Sequence, residues 1–386
     1  MNPRQRVLAA LNHQEPDLVP IDCGGTQVSS LTLVANDRLK EYLHIDQGGE
    51  FITCPLTESI QPVDEILNLF ETEFRSVRLK GPSHGSGKGF AAYEIVRNPT
   101  GHEYIDDLGT VWRKAFYDYA PVTYSLAGLS TSDLEKFPWP DPYDPGRVAG
   151  LREETQALRD HGDFAIVADI MVGGPFEQAV RSRGTEQFMM DLAWDPKFAQ
   201  TLLDKLTDVA MGMWDAQLNA IGDLVDVVCQ GDDVGMQTGL QISPVMYRKF
   251  IKPCHERMFS FIHSKTKAKL FLHSCGSVYS IIPDLIEIGL DILNPVQVGA
   301  KNMGLKLLKQ EFGRDLSFWG GGIDIQKLPF MSLDEIETAV KQALDIMAPG
   351  GGYVFAATHN ILPETEGQQT YTAYSTAVKN RSYEHI

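Results

Sequence analysis

A (β/α)8 TIM barrel is the fold class this sequence predicts, and three observations carry the prediction. From about residue 150 onward, short apolar runs alternate with stretches of helical period, as in a parallel sheet covered on both faces. The apolar runs are near-continuous in the manner of strands buried on both sides. Most of them end in polar residues, and a barrel assembles its site from the C-terminal ends of its strands. A doubly wound open sheet is the second reading.

The elements follow in chain order. Residues 3–12 read as a helix, with Val7, Leu8 and Leu11 on one face and Pro3 suited to its first turn. Residues 19–23 (Val19-Pro20-Ile21-Asp22-Cys23) read as a short strand broken by Gly24-Gly25. The stretch from about 50 to 145 differs in texture: it carries Pro55, Pro62, Gly81, Pro82, Gly85, Gly87 and Gly89, then an alternating run from Ala92 to Val96. Residues 104–112 predict a hairpin turning near Asp107 to Gly109. We take this stretch as a β-rich insertion or cap within one barrel domain spanning 1–386. Strands are then expected at 164–172, 224–230, 268–274, 292–296, 316–319 and 353–357, with helices at 195–218, 244–264, 281–288 and 333–346. With residues 19–23 this makes seven strands. The eighth is sought between Met171 and Phe188 or near the C-terminus.

Composition narrows the function. Acidic residues outnumber basic ones 51 to 34, for a net charge of −17, which argues against nucleic acid or an anionic membrane as a partner. No apolar run reaches the roughly 20 residues of a membrane span, and the N-terminus lacks a signal-peptide core, so the protein is read as cytoplasmic. Its five cysteines are odd in number and show no CxxC spacing, which speaks for reduced thiols with individual roles. A homo-oligomer is compatible with all of this.

The most informative residues close the run Leu270-Phe271-Leu272-His273-Ser274-Cys275-Gly276. In a strand, residues two apart face the same side, so His273 and Cys275 offer an imidazole and a thiol together. Zinc accepts both, and a catalytic site needs one further protein ligand. His359, at the end of the last strand, is the natural third. A buried strand with a hydrogen-bonded histidine and a small thiol is the plainer alternative, and for His359 it is the cap of a following helix. Asp232 and Asp233 close another strand and suit general acid–base work, since neighbouring carboxylates separate one another's pKa values. An Asp pair capping a helix is the competing reading. The remaining strand ends supply Asp22, Asp169, Gln230, Gln297, Asp324 and Asn360 as substrate-binding candidates. Cys23 is either a fourth ligand or a small buried hydrophobe. Gly320-Gly321-Gly322 lacks the lysine and hydroxyl of a phosphate loop, and serves either close ligand approach or a tight turn.

With these residues in view, the chain resembles the uroporphyrinogen decarboxylase superfamily. The resemblance rests on the opening Arg4-Gln5-Arg6-Val7-Leu8 with Glu15-Pro16-Asp17, and on Asp232-Asp233 with Ser243-Pro244 and the segment from Tyr247 to Pro253. It continues through His273-Ser274-Cys275-Gly276 and Gly320-Gly321-Gly322-Ile323-Asp324 to His359-Asn360. It implies a (β/α)8 barrel with its site at the C-terminal mouth. True decarboxylases of the superfamily bind a tetrapyrrole polycarboxylate with an arginine-rich loop after the first strand. Here residues 22–30 contain no arginine, which speaks against that activity.

The other branch, which the chain resembles more, holds zinc methyltransferases of corrinoid systems with a His-x-Cys pair and a later cysteine. His273 and Cys275 match the pair, whereas His359 stands where the later cysteine would be. One thiolate and two imidazoles leave zinc a formal charge of +1, a stronger Lewis acid suited to an ether, hydroxyl, carbonyl or water rather than to a thiol. The resemblance therefore implies a zinc-dependent transfer of a methyl group between a small methylated, for example methoxylated, substrate and a corrinoid on a partner protein. A metal-dependent lyase or hydrolase acting without corrinoid is the alternative.

Overall fold

A computed structural model describes residues 1–54, 56–83, 96–98, 101–115, 118–169 and 173–384. Seven strands lie side by side in chain order: Phe74–Val77, Ala165–Ala168, Val227–Gly231, Lys269–His273, Ile292–Asn294, Ser317–Trp319 and Tyr353–Val354. Every neighbouring pair is parallel. Residues 20–22 close the ring. Ile21 bridges Phe355 in parallel, with the Asp22 and Phe355 amides donating across the seam at 2.8 Å. On the other side the Glu73 amide donates to the Ile21 carbonyl at 3.2 Å. The fold is a (β/α)8 barrel.

The eighth strand is not where it was expected. It is Phe74–Val77, inside the stretch read as an insertion, paired in parallel with Ala165–Ala168. The stretch between Met171 and Phe188 holds the helix Pro175–Arg183 and the start of the helix Thr185–Trp194 instead. Phe-Arg-Ser-Val is too short and too polar to announce a buried strand, because Arg75 lies on the outer side with its guanidinium over Phe164, 4.0 Å from the ring centre. The insertion is therefore not continuous. An antiparallel sheet of Leu31–Thr32, Ser59–Gln61 and Phe51–Cys54 precedes this strand. A four-stranded one, Val96–Asn98, Gly101–Ile105, Val111–Ala115 and Asp118–Pro121, follows it. The expected hairpin is present, with Ile105 opposite Val111 and Gly109 in the turn at φ +84°. The alternating run before Val96, like Gly85, Gly87 and Gly89, lies outside the described residues.

Strand parity sorts side chains between the barrel interior and the helix layer. The interior cluster takes Phe74, Ala165, Val167, Val227, Cys229, Phe271, Ile292, Trp319, Val354 and Ala356. Val7 and Leu11 of the first helix, Pro3–Leu11, join it and plug the N-terminal end. Trp319 spans the interior, its ring 4.3 Å from Phe74 and 5.2 Å from Phe271. The helix is tied on by Arg4 to Asp226 at 2.9 Å and Arg6 to Asp17 at 2.7 Å, so the arginines of the opening motif are structural. The expected 244–264 helix forms as Pro244–Met246 and Lys252–Lys265 joined by a wide turn, Tyr247–Ile251, a π-type insertion. Among the described residues no helix is long and apolar enough to cross a membrane.

Candidate metal centre

Phe271, His273 and Cys275 share one parity. Continued past the strand end, it carries the imidazole and thiol from the barrel floor to its mouth. Cys275 Sγ lies 3.4 Å from His273 Nε2. Gly276 then turns the chain sharply at φ +84°, where a Cβ would stand 2.5 Å from the Met236 amide nitrogen, so no side chain fits. His359 arrives from the last strand across the closed ring, its imidazole edge-on to that of His273 with centroids 5.1 Å apart. One donor atom from each of the three lies within 4.8 Å of the others.

Both candidate histidine ligands have a hydrogen-bond partner on the ring. Asn294 donates to the Trp319 carbonyl through Nδ2 at 2.9 Å, which leaves its Oδ1 to accept the His273 Nδ1–H at 2.6 Å. That tautomer presents the His273 Nε2 lone pair towards Cys275, and a partner on the far nitrogen is typical of metal-bound histidines. His359 Nδ1 accepts the Asn360 amide at 2.7 Å, which puts the proton of the neutral ring on Nε2, so binding a metal would require that bond or that proton to be given up. Burial and the neighbouring His273 pull the His359 pKa down to about 3, so the ring is neutral, as a ligand must be. Burial pushes the Cys275 thiol well above its ordinary range, helped by the Asp233 and Glu177 carboxylates.

The donor set fits zinc. At roughly 2.1 Å to nitrogen and 2.3 Å to sulfur, a tetrahedral ion separates the two donors by about 3.5 Å, close to the observed His273–Cys275 spacing. Two neutral imidazoles and one thiol suit that ion better than magnesium or calcium, which prefer oxygen.

Two adjacent carboxylates have different surroundings. Asp233 is the one at the cluster: its Oδ1 accepts the Cys275 amide at 2.7 Å and lies 4.0 Å from His273 Nε2. Asp232 is fully buried and faces the helix Pro175–Arg183. It accepts the Phe176 and Glu177 amides at 3.2 and 2.7 Å and His255 Nε2 at 2.8 Å. Helix capping, the competing reading of the pair, describes Asp232, whereas Asp233 lies at the cluster.

A cavity of about 370 Å³ opens beside the cluster, lined among others by Cys275, Gln297, Asp324, His359 and Asn360. Five sequence-chosen residues thus meet there. Gln297 Oε1 accepts the Gly276 amide at 2.6 Å and steadies the ligand loop. Asn360 pins residues 27–30, accepting from the Ser30 amide at 2.8 Å and donating to the Gln27 carbonyl at 2.9 Å.

The other candidates lie elsewhere. Gln230 has the parity opposite to Cys229 and points into the helix layer, where its Oε1 accepts Trp214 Nε1 at 2.6 Å. Asp22 is buried under the mouth, receiving Ser29, the Gly25 amide at 2.6 Å and Trp319 Nε1 at 2.9 Å. Burial outweighs those bonds and raises its pKa to about 7. Asp169 pairs with Arg78 at 2.7 Å and accepts the Gln27 amide at 2.8 Å. Cys23 is buried among core hydrophobes, as the plainer reading had it. The glycine run serves packing and a turn: Gly320 and Gly321 have φ +102° and +76°, and a Cβ on Gly322 would strike the Phe355 ring at 2.3 Å. In the hairpin, Asp107 pairs with Arg147 at 2.9 Å, and Trp112 stacks on Tyr104 with centroids 5.9 Å apart, so neither is part of the cluster.

Sequence reasoning missed Glu177 and Arg181. They form an i, i+4 pair that reads as an exposed helix face. In the fold both side chains are largely buried and interact electrostatically with Asp233, with Arg181 also 5.6 Å from the Trp112 ring. Burial and the two aspartates raise the Glu177 pKa to about 8. No signal in the sequence marks that burial.

A family profile described as uroporphyrinogen decarboxylase (URO-D) matches residues 118–380. The chain belongs to the uroporphyrinogen decarboxylase family. Among solved structures it is similar to a methyltransferase from Methanosarcina mazei, with a TM-score of 0.62 and 19% identity over 98% of this chain and 99% of that one. At that identity the likeness is one of fold. A search of curated proteins found no match. Family membership agrees with the closed barrel and with a site at its C-terminal mouth.

Proposed function

We propose that this family member is a zinc-dependent enzyme that transfers a methyl group between a small methylated substrate and a corrinoid carried by a partner protein. The observation that carries the reading is the His273–Cys275–His359 cluster at the rim of an open cavity. Zinc held by those three side chains would supply a formally +1 Lewis acid with a coordination position open to a substrate oxygen. The protein's own groups do the rest. Asn294 keeps His273 in the ligating tautomer, and Gly276 and Gln297 hold the Cys275 loop in place. Asp233, at the cluster and partly open to solvent, is the group to hold or accept a proton at the reacting oxygen. Asp232 and His255 fix the helix that carries Glu177 and Arg181.

Tetrapyrrole decarboxylation receives no support from the first-strand loop. Residues 22–30 carry no arginine, and Arg78 at the mouth is already paired with Asp169. A metal-dependent lyase or hydrolase without corrinoid is the second reading, favoured by Asp233, which could serve as base to a water. One experiment separates the two. Zinc-loaded protein is mixed with cob(I)alamin and methoxylated donors, and the cobalt spectrum is followed. Conversion to methylcobalamin is expected; an unchanged spectrum alongside consumption of the donor supports the second reading instead. Zinc content after chelation and reloading tests the ligand set, which His359→Ala should abolish.

A further inference from the structure

We propose that the cavity beside the cluster selects a neutral, hydroxyl-bearing, non-aromatic methyl ether of about monosaccharide size and discriminates against carboxylate donors; this rests on the methyl-transfer reading above. The cavity, about 370 Å³, stands near the small end of ligand sites, which run from roughly 300 to 1,000 Å³. Among its described lining residues there is no lysine, no arginine and no Phe, Tyr or Trp. Apart from the His359 imidazole an aromatic ring would find no stacking partner, and apart from the metal's own formal +1 an anion would find no counter-charge among the lining side chains.

The polar groups left over after the protein's own hydrogen bonds make the case specific. Asn360 and Thr32 are spent on backbone groups of residues 27–35 and 361. Gln297 uses only its Oε1, leaving the Nε2 amide to donate into the cavity. Thr358 accepts the Ile325 amide at 3.2 Å, so its hydroxyl proton remains to be given. Asp324 commits Oδ1 to the Gln326 amide at 3.1 Å, while Oδ2 lies 3.7 Å from a largely exposed Lys327 and is open to a donor. Glu364 adds a second carboxylate at the rim. Neutral donors set beside carboxylate acceptors match vicinal hydroxyls, each of which gives one hydrogen bond and accepts others. With Asp233 and Glu177 also near Cys275, a substrate carboxylate would face carboxylates on several sides. A neutral ether avoids that repulsion and keeps an oxygen lone pair for the metal, which a quaternary ammonium lacks.

The test is calorimetric titration of the full zinc-loaded chain, without corrinoid, against two groups of probes. The neutral group is methyl glucoside, methyl xyloside and 3-methoxy-1,2-propanediol; the anionic group is methoxyacetate and 4-methoxybenzoate. At least one neutral ether should bind about tenfold or more tighter than either anion. Gln297→Glu, which keeps an acceptor for the Gly276 amide and replaces the donor with a carboxylate, should weaken the neutral ether by about tenfold and improve no anion. Glu364→Lys, at an exposed side chain, should improve methoxyacetate binding relative to wild type. Anions that bind as tightly as the best neutral ether, or no binding by any neutral ether, would overturn the proposal. The two readings fail separately. A neutral ether that binds but never methylates cob(I)alamin refutes methyl transfer and leaves the ligand class standing. Methylation from an anionic donor does the reverse.

Discussion

Replacing Asn294 tests the proposed metal centre at the point where structure and chemistry are most tightly joined. This side chain is fully buried and makes two hydrogen bonds, accepting from His273 Nδ1 at 2.6 Å and donating to the Trp319 carbonyl at 2.9 Å. Asn294→Leu keeps the approximate volume and removes both. Each buried polar group left unpaired costs about 1–3 kcal/mol, so urea denaturation should show a loss of about 2–6 kcal/mol. The His273 ring also loses the partner that fixes its tautomer, and loss of such partners typically weakens metal binding roughly 10- to 100-fold. Competition against a zinc chelator measures that directly. Asn294→Asp separates the two effects: its carboxylate still accepts from Nδ1 and holds the ligating tautomer, whereas the Trp319 carbonyl loses its donor. Zinc affinity should then stay within a few-fold of wild type while stability falls. An Asn294→Leu protein that folds and binds zinc as tightly as wild type would refute the reasoning, because His273 could not then be a ligand through Nε2.

Three further outcomes are expected. Gly276→Ala should abolish zinc retention while the far-ultraviolet circular dichroism stays unchanged, because a Cβ 2.5 Å from the Met236 amide nitrogen, at φ +84°, displaces the Cys275 loop and not the barrel. Asp232→Ala should lower stability by about 3–5 kcal/mol in denaturant titrations, since it strips a buried His255 and two helix-start amides of their acceptor. Asp232→Asn, which keeps acceptors for the amides, should cost less, and an equal loss would speak against the capping role. Asp22 is displaced from 3.8 to about 7 by burial. The folded state therefore holds its proton where the unfolded chain has released it, and stability from this group is present below about pH 4 and lost as pH rises to about 7. The loss is about 4 kcal/mol. Asp22→Asn cannot titrate, so the stability difference between the two proteins should change across that window, and a constant difference would contradict the assignment.

How much was legible in the sequence depends on whether a signal was local. Period-two alternation placed His273 and Cys275 on one face without knowledge of the fold, and their 3.4 Å separation follows from it. The same parity separates Cys229, which faces the interior, from Gln230, which faces the helices. The two readings of the Asp232–Asp233 pair could not be separated from sequence. Adjacent strand-end residues diverge, and only the packed helix Pro175–Arg183 shows which one is consumed as a cap.

By itself, the sequence determined the alternation of strands and helices after about residue 150, the polar residues at the strand ends and the pairing of the His273 and Cys275 faces. All of these arise from covalent spacing and backbone periodicity. Closure of the barrel was decided only by the tertiary structure. It recruited Phe74–Val77 from a stretch rich in proline and glycine, and it brought His359 beside His273 although they are far apart in the chain. Burial likewise turned Glu177 and Arg181, an ordinary exposed pair by spacing, into part of the electrostatic setting of Cys275. Long-range contact and desolvation depend on the whole ring being complete, and no local pattern of residues encodes either.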